Sequence, residues 1–148
     1  MIKEENDKFG ASLNQGTSFL FGHDKQIKFI LDRIKASQIP NAWLFHGPMG
    51  VGKASLALHV GKVLSNIDFS KKNHVVSISE QDIRNPETTV NISNVFYCRR
   101  RWDDKKKLFQ KYISIEDIRE LNRKFSLSST DNSYKVCIVD TTEDLNIS

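Results

Sequence analysis

The chain has 148 residues, of which 39% are hydrophobic and 27% are charged, so its length and composition fit one globular domain rather than two. Its 22 Lys and Arg against 18 Asp and Glu give a net charge of +4, a surplus that permits contact with phosphate without requiring it. The polar start is unlike a signal peptide, and no apolar run approaches the roughly 20 residues of a membrane span, so a cytoplasmic protein without membrane contact is expected.

The first 18 residues are polar and are predicted to form a flexible tail, followed by one α/β domain over residues 19–148. From Asp24 onward, apolar residues recur at i, i+3, i+4 and i+7, the spacing that puts them on one face of a helix. They are Ile27, Ile30, Leu31 and Ile34. The spacing predicts an amphipathic helix, with Asp24 as its N-cap.

A short apolar run follows at residues 42–46, between Pro40 and Gly47. It is too brief for a helix, and its proline and glycine boundaries are typical of a buried strand. After Lys53 the apolar residues return to helical spacing. The order strand, glycine-rich loop, helix is therefore predicted for this part of the chain.

The glycine-rich loop matches a phosphate-binding pattern. Residues 47–53 read Gly-Pro-Met-Gly-Val-Gly-Lys, the first seven positions of the P-loop pattern G-x-x-x-x-G-K-[ST]. Glycines let the backbone amides converge on phosphate oxygens, the helix N-terminus adds a favourable dipole, and Lys53 reaches the terminal phosphates. The predicted phosphate-binding residues are Gly47, Pro48, Gly50, Val51, Gly52, Lys53, Ala54 and Ser55.

The eighth position departs from this pattern. Ala54 stands where a Ser or Thr hydroxyl would bind magnesium. Ser55 is a poor substitute because it points about 100° further around the helix. The loop is therefore predicted to attract phosphate but to lack one ligand of a working magnesium site.

Beyond the second helix, residues 75–78 are compatible with either a strand or a loop, whereas residues 95–98 have the aromatic and β-branched content of a core strand. A charged stretch at residues 99–107 is predicted to be an exposed loop or hairpin. It could touch DNA phosphate or a neighbouring subunit, but a solvated loop is favoured because Asp103 and Asp104 interrupt its basic residues.

Ser114 begins a strong helix-start pattern. Asp117 follows three residues later, and Ile113 and Ile118 are placed as a hydrophobic staple around the cap. The buried face of this helix is predicted to contain Ile118, Leu121 and Phe125.

An apolar strand that ends in Asp140 is predicted at residues 134–140. In P-loop hydrolases a carboxylate at this place helps to hold magnesium, so Asp140 is a Walker B-like candidate, although any buried strand can end in an Asp that caps a turn. Thr141 follows where a hydrolase would carry a Glu that orients the attacking water. The alternation of strands and helices predicts an α/β fold with a largely parallel sheet covered on both faces.

The remaining ionisable residues do not predict a metal site. The two cysteines, Cys98 and Cys137, are far apart without C-x-x-C spacing, and both are expected in core strands of a reduced protein. The histidines have no metal-ligand spacing and are expected to be structural or exposed. They are His23, His46, His59 and His74.

Taken together, these motifs resemble bacterial clamp-loader delta-prime subunits of DNA polymerase III. The resemblance runs from about residue 19 to the end of the sequence. It rests on the order and spacing of five segments, at residues 20–23, 42–44, 47–57, 113–121 and 136–146.

The resemblance implies an AAA+ P-loop domain, incomplete at its C-terminus, with the helical lid, the collar, the sensor residues and the intersubunit arginine beyond Ser148. It implies a clamp-loader subunit of the polymerase holoenzyme that helps to load the sliding clamp on primed DNA, with the other loader subunits as partners. Ala54 and Thr141 agree with a non-hydrolysing member, with no catalytic residue and weak or vestigial binding of ATP and Mg²⁺. Many relatives carry a four-cysteine zinc module after the P-loop helix, but no zinc is expected here.

Three alternatives remain open at this stage. The chain could be a catalytic clamp-loader or other P-loop ATPase in which Ser55 or water replaces the missing ligand. A small-molecule kinase is less favoured because no acceptor pocket is marked in the sequence. A non-enzymatic DNA-binding module would use the basic stretch alone, and it would offer phosphate contacts without a base-reading helix.

Overall fold

The computed structural model describes residues 19–71, 75, 77–86, 94–126, 133–140, 142 and 145. The predicted tail, residues 1–18, and Thr141 lie outside the described residues. The described elements, in chain order, are α1 (Asp24–Lys35), α2 (Lys53–Asn66), α3 (Glu80–Arg84), β1 (Val95–Arg99), β2 (Trp102–Asp103), β3 (Leu108–Phe109), α4 (Ile115–Ser126) and β4 (Val136–Asp140). In these parts of the chain, every helix is too short or too polar to cross a membrane.

Two strands pair in parallel, as the alternation of strands and helices predicts. β1 lies beside β4, in a register that runs from Val95 opposite Val136 to Arg99 opposite Asp140. Successive side chains of a strand point to opposite faces of the sheet. Val95 and Tyr97 therefore face one side, where they pack against α2, and Phe96 faces the other side, 5.5 Å from the Phe125 ring of α4. α2 thus covers one face of the pair of strands, and Phe125 of α4 contacts the other.

A glycine lets α2 approach this sheet closely. A Cβ atom at Gly61 would lie 3.3 Å from Val136 Cγ1, 3.4 Å from Ile138 Cδ1 and 3.6 Å from Val95 Cγ1. These distances lie near or below the short end of ordinary van der Waals contact. The absence of a side chain at Gly61 therefore allows the short separation between α2 and the strands. The apolar side chains of α2 meet those of α1 and α3 on the other side, which gives the main core.

The helix predicted from Asp24 is confirmed, and its four predicted apolar residues are all buried. Its predicted cap is wrong. His23 is the N-cap, with φ 58°, and Asp24 is the first helical residue. The Asp24 carboxylate instead forms an ion pair with Arg84 of α3. An acidic side chain in the first turn is still favourable, because it lies at the positive end of the helix dipole.

The predicted strand at residues 42–46 is not observed, since these residues belong to neither sheet. Trp43 and Phe45 pack against the main core, while Leu44 between them is 82% exposed. The side chains thus alternate as in a strand, but no hydrogen-bonded neighbour is present among the described residues. In the uncertain segment at residues 75–78, the described residues Val75, Ser77 and Ile78 form no strand, and Val76 lies outside them.

The charged stretch forms a hairpin, in which β2 pairs antiparallel with β3. The helix predicted after it, α4, carries the expected capping pair: Asp117 N–H donates to Ser114 Oγ at 3.2 Å, and Ser114 Oγ–H donates to Asp117 Oδ2 at 2.7 Å. Of the predicted buried face, Leu121 is buried and Ile118 is partly buried, but Phe125 is 39% exposed.

Candidate phosphate-binding site

The loop at residues 47–53 leads directly into α2, as predicted, although the segment before it is not a paired strand. Gly50 has φ 81° and Gly52 has φ 93°, in the left-handed region where a side chain would be strained. Gly52 is the N-cap of α2 and supplies no side-chain capping bond. The first backbone amides of α2 therefore lie at the loop, where an anion would meet unpaired N–H groups and the positive end of the helix dipole.

Lys53 is the first residue of α2, and its side chain folds back over the loop. Its Nζ donates to Gly47 O at 2.8 Å and to Pro48 O at 2.7 Å. These are charge-assisted hydrogen bonds between the amine and two loop carbonyls. A phosphate bound at the loop would compete with both carbonyls for the same amino group.

The first turn of α2 offers little that could bind magnesium. Ala54 is partly buried and has only a methyl group at the position of the expected hydroxyl. Ser55 is exposed and is the only hydroxyl among the first four residues of α2. The arrangement can thus attract an anion through amides and one amine, but the residue after Lys53 supplies no side-chain oxygen.

His23, which was not predicted as a site residue, forms a hydrogen bond to the glycine-rich loop. His23 Nε2–H donates to Val51 O at 2.8 Å, and Nε2 would lie 3.3 Å from a Cβ atom at Gly52. From the sequence, His23 is predicted only to be structural or exposed. Its role depends on the left-handed turn at Gly22 and His23, and no spacing in the sequence indicates the contact with a loop 28 residues away.

Arg84 in turn fixes the turn that carries His23. Its Nη1 donates to Gly22 O at 2.9 Å and to Leu20 O at 3.2 Å, and its Nη2 pairs with Asp24. The Arg84 side chain is mostly buried, but Asp24 is 79% exposed, so water screens their ion pair. α3, the turn and the glycine-rich loop are therefore linked by a continuous series of polar contacts.

The second predicted element of the site, Asp140, ends β4 and accepts a hydrogen bond from a tyrosine. Tyr97 Oη donates to Asp140 Oδ2 at 2.6 Å. Burial, and then the bond to Asp140, raise the pKa of Tyr97 well above its usual value, so the hydroxyl keeps its proton. Both side chains lie on the face of the sheet that α2 covers. One oxygen of the candidate carboxylate is thus engaged within the protein.

The remaining ionisable groups that the structure describes are consistent with structural roles. His59 is buried and donates to Ile83 O at 2.9 Å, and burial lowers its pKa. Cys98 and Cys137 lie in β1 and β4, and burial raises the pKa of both thiols, that of Cys137 to about 11. No group of three or more His, Cys, Asp or Glu within the described ranges could hold a metal ion. The expectation that the protein has no zinc stays a prediction, and His74 lies outside those ranges.

Comparison with known proteins gave one finding. The family model described as DNA polymerase III, delta subunit matches residues 22–148, which is most of the sequence. Neither a curated protein nor a solved structure matched the chain.

Proposed function

Because the chain belongs to the DNA polymerase III delta subunit family, we propose that it acts as a delta-prime-type clamp-loader subunit whose loop attracts phosphate without supporting hydrolysis. Family membership implies a role in the polymerase III clamp-loader complex. Sliding clamp, primed DNA and the ATPase subunits are the partners proposed for it there. In this role the protein would be a structural member of the loader rather than one of its motors.

The observation that carries the proposal is the composition of the first turn of α2. Nucleotide hydrolysis needs magnesium held between the β- and γ-phosphates and a positioned water. Ala54 supplies no hydroxyl for the metal, and the candidate metal carboxylate, Asp140, already accepts the Tyr97 hydroxyl. The sequence also has Thr141 in the position of the usual glutamate. Loss of even one positioning group typically costs orders of magnitude in rate.

Anion binding asks less of the loop than hydrolysis does. Backbone amides at a helix N-terminus and one lysine attract phosphate without a metal. Lys53 is correctly placed for this at the start of α2, although its amine must leave the carbonyls of Gly47 and Pro48. We therefore expect weak binding of ATP or pyrophosphate that depends on Lys53 and changes little when magnesium is removed.

The first experiment measures ATP turnover by the full-length protein with magnesium, beside a Lys53→Ala variant. We expect both to remain at background. Titration calorimetry with pyrophosphate, with and without a chelator, should show weak binding to the unmodified protein and loss of it in the variant. Turnover on the order of 1 per second that disappears in Lys53→Ala would show a working ATPase.

The second experiment separates a structural subunit from a motor. Clamp loaders are reconstituted with either the unmodified subunit or Lys53→Ala, and clamp loading and DNA-stimulated ATPase activity are measured. A structural role predicts that both activities are unchanged, because the other subunits supply the hydrolytic sites. If the substitution removed a share of the ATPase activity that matched one site per complex, the protein would be a motor subunit.

A further inference from the structure

The basic hairpin, which we define as residues 99–112, concentrates the positive charge of the protein. It contains seven Lys and Arg against two Asp, a surplus of five, whereas the whole chain has a net charge of only +4. The rest of the sequence is therefore close to neutral. A charge surplus confined to one small projection attracts an anionic partner to that projection in particular.

The turn of the basic hairpin is held by hydrogen bonds to Asp103. Asp103 Oδ1 accepts hydrogen bonds from the amides of Lys105 and Lys106, both at 3.0 Å, and Lys107 N–H donates to Asp103 O at 2.8 Å. The Asp103 carboxylate is thus used to form the turn. No acidic side chain in the described part of the chain forms an ion pair with Lys105, Lys106 or Lys107, and all three are exposed. Three neighbouring ammonium groups are therefore presented to solvent.

Aromatic rings accompany these cations. Trp102 of β2 and Phe109 of β3 lie opposite each other with ring centroids 5.1 Å apart, and each residue is 48% exposed. Tyr112 is also exposed, and the Lys111 ammonium lies 5.1 Å from its ring centroid. Exposed rings beside cations are the combination that holds unpaired bases and their phosphates.

One of the arginines fixes the basic hairpin to the rest of the protein. The Arg101 guanidinium pairs with Asp117 of α4 and approaches Glu120 Oε2 at 3.8 Å. Arg101 is thus a structural residue, and the prediction that the whole arginine cluster could reach DNA phosphate does not extend to it. The pairing gives the ribbon a fixed base while its tip remains exposed.

From these observations we infer that the basic hairpin binds single-stranded nucleic acid without sequence preference, through stacking on its aromatic rings and phosphate contacts from its lysines. A duplex would be held less well, because its bases are already stacked and leave only the phosphate contacts. The ribbon carries no reading helix, so base identity should matter little. The inference goes beyond the proposed clamp-loader role and does not depend on it.

The experiment measures binding of a labelled oligothymidine to the full-length protein by fluorescence anisotropy over a range of salt. The test variant replaces Lys105, Lys106 and Lys107 with Gln. The matched control replaces Lys25, Lys28 and Lys35, which are exposed on α1, and removes the same charge. About three phosphate contacts predict a slope near −2 for log K against log salt. We expect the test variant to lose about tenfold in affinity and most of that slope, with the control close to unmodified protein.

A second variant tests stacking separately from charge. Bases that stack on Trp102 should quench its fluorescence, and Trp102→Phe should still bind but lose that part of the quenching. Trp102→Ala should lose about tenfold in affinity at constant charge. Equal losses in the test variant and its lysine control, unchanged Trp102 emission at saturation, or equal affinity for duplex would each overturn the inference. So would displacement of the oligonucleotide by a stoichiometric amount of an acidic aromatic peptide.

Discussion

Asp117 is a buried acidic residue, only 2% exposed to solvent. One of its oxygens accepts the hydrogen bonds of the Ser114 cap, and the other faces the guanidinium of Arg101. A buried charge is costly unless it is both paired and hydrogen-bonded, and here the two requirements are met by different parts of the chain. The same residue therefore starts α4 and fixes the basic hairpin.

Arg101→Gln should destabilise the protein because it leaves the Asp117 charge buried without a partner. We expect a loss of about 2 kcal/mol, below the usual cost of breaking a buried pair because the Arg101 side chain is 40% exposed. The measurement is urea denaturation near neutral pH. Arg99→Gln, at an exposed position with the same change of charge, should cost less than about 0.5 kcal/mol. In Arg101→Gln/Asp117→Asn most of the loss should be recovered, and equal losses for Arg99 and Arg101 would contradict the account.

Of the two interactions of Asp117, the sequence predicted the helix cap and not the ion pair with Arg101. Ser and an acidic residue three positions apart indicate a helix cap through local geometry alone, and the Ser114–Asp117 cap is confirmed. The ion pair joins residues 16 positions apart across a hairpin, and nothing in a run of Arg, Asp and Lys distinguishes the arginine that turns inward. His23 was missed as a site residue for the same reason, since its contact depends on how a left-handed turn aims the ring.

Among the elements, α2 is the most sensitive to a change in side-chain size. Gly61→Ala gains helix propensity of about 1 kcal/mol but must fit a methyl group 3.3 Å from Val136 Cγ1, so we expect a net change within about 1 kcal/mol. Gly61→Leu has no room against Val136 and Ile138 and should lose about 2 kcal/mol or more. Thermal and urea unfolding would measure both.

The control for size and helix propensity is Ser55→Leu, at an exposed position of the same helix. This variant should unfold close to the unmodified protein. If Gly61→Leu were as stable as Ser55→Leu, the close approach of α2 to the sheet would not restrict the size of the side chain at residue 61.

The elements that the sequence predicted well are those whose pattern is local. α1 and α4 show apolar residues at helical spacing, and the structure has both helices. The loop before α2 is likewise defined by a local motif. A strand is different, because it exists only beside a hydrogen-bonded neighbour. Residues 42–46 have the apolar content and the alternating burial of a strand, yet they are unpaired among the described residues.

At the level of the whole molecule, the unpaired segment at residues 42–46 bears on whether copies of the chain associate in solution. The described part of the sheet has only two strands in parallel, fewer than an independently stable sheet usually needs. Leu44, Phe21 and Met49 are each more than four-fifths exposed. An uncovered sheet edge and exposed apolar side chains both favour association between copies.

We therefore predict that residues 1–148 associate in a concentration-dependent manner, as sedimentation velocity would measure. Leu44→Lys should weaken the association, because it places a charge in the unpaired segment. Leu108→Lys, at an exposed position of the basic hairpin, is the control and should change it little. A monomer with a sharp, cooperative thermal transition at all concentrations would show that the sheet needs no further cover.

Two carbonyl groups of the glycine-rich loop compete with a bound anion for the Lys53 amine. Any anion must take this amine from the carbonyls of Gly47 and Pro48. The measured dissociation constant is then the intrinsic one divided by the fraction of molecules in which the amine is released. Since each hydrogen bond to a charged group contributes about 1.5–3 kcal/mol, that fraction can be small while the loop itself keeps its shape. A weak affinity for phosphate would then report how strongly the Gly47 and Pro48 carbonyls hold the Lys53 amine. It would not show that the glycine-rich loop has the wrong shape for phosphate.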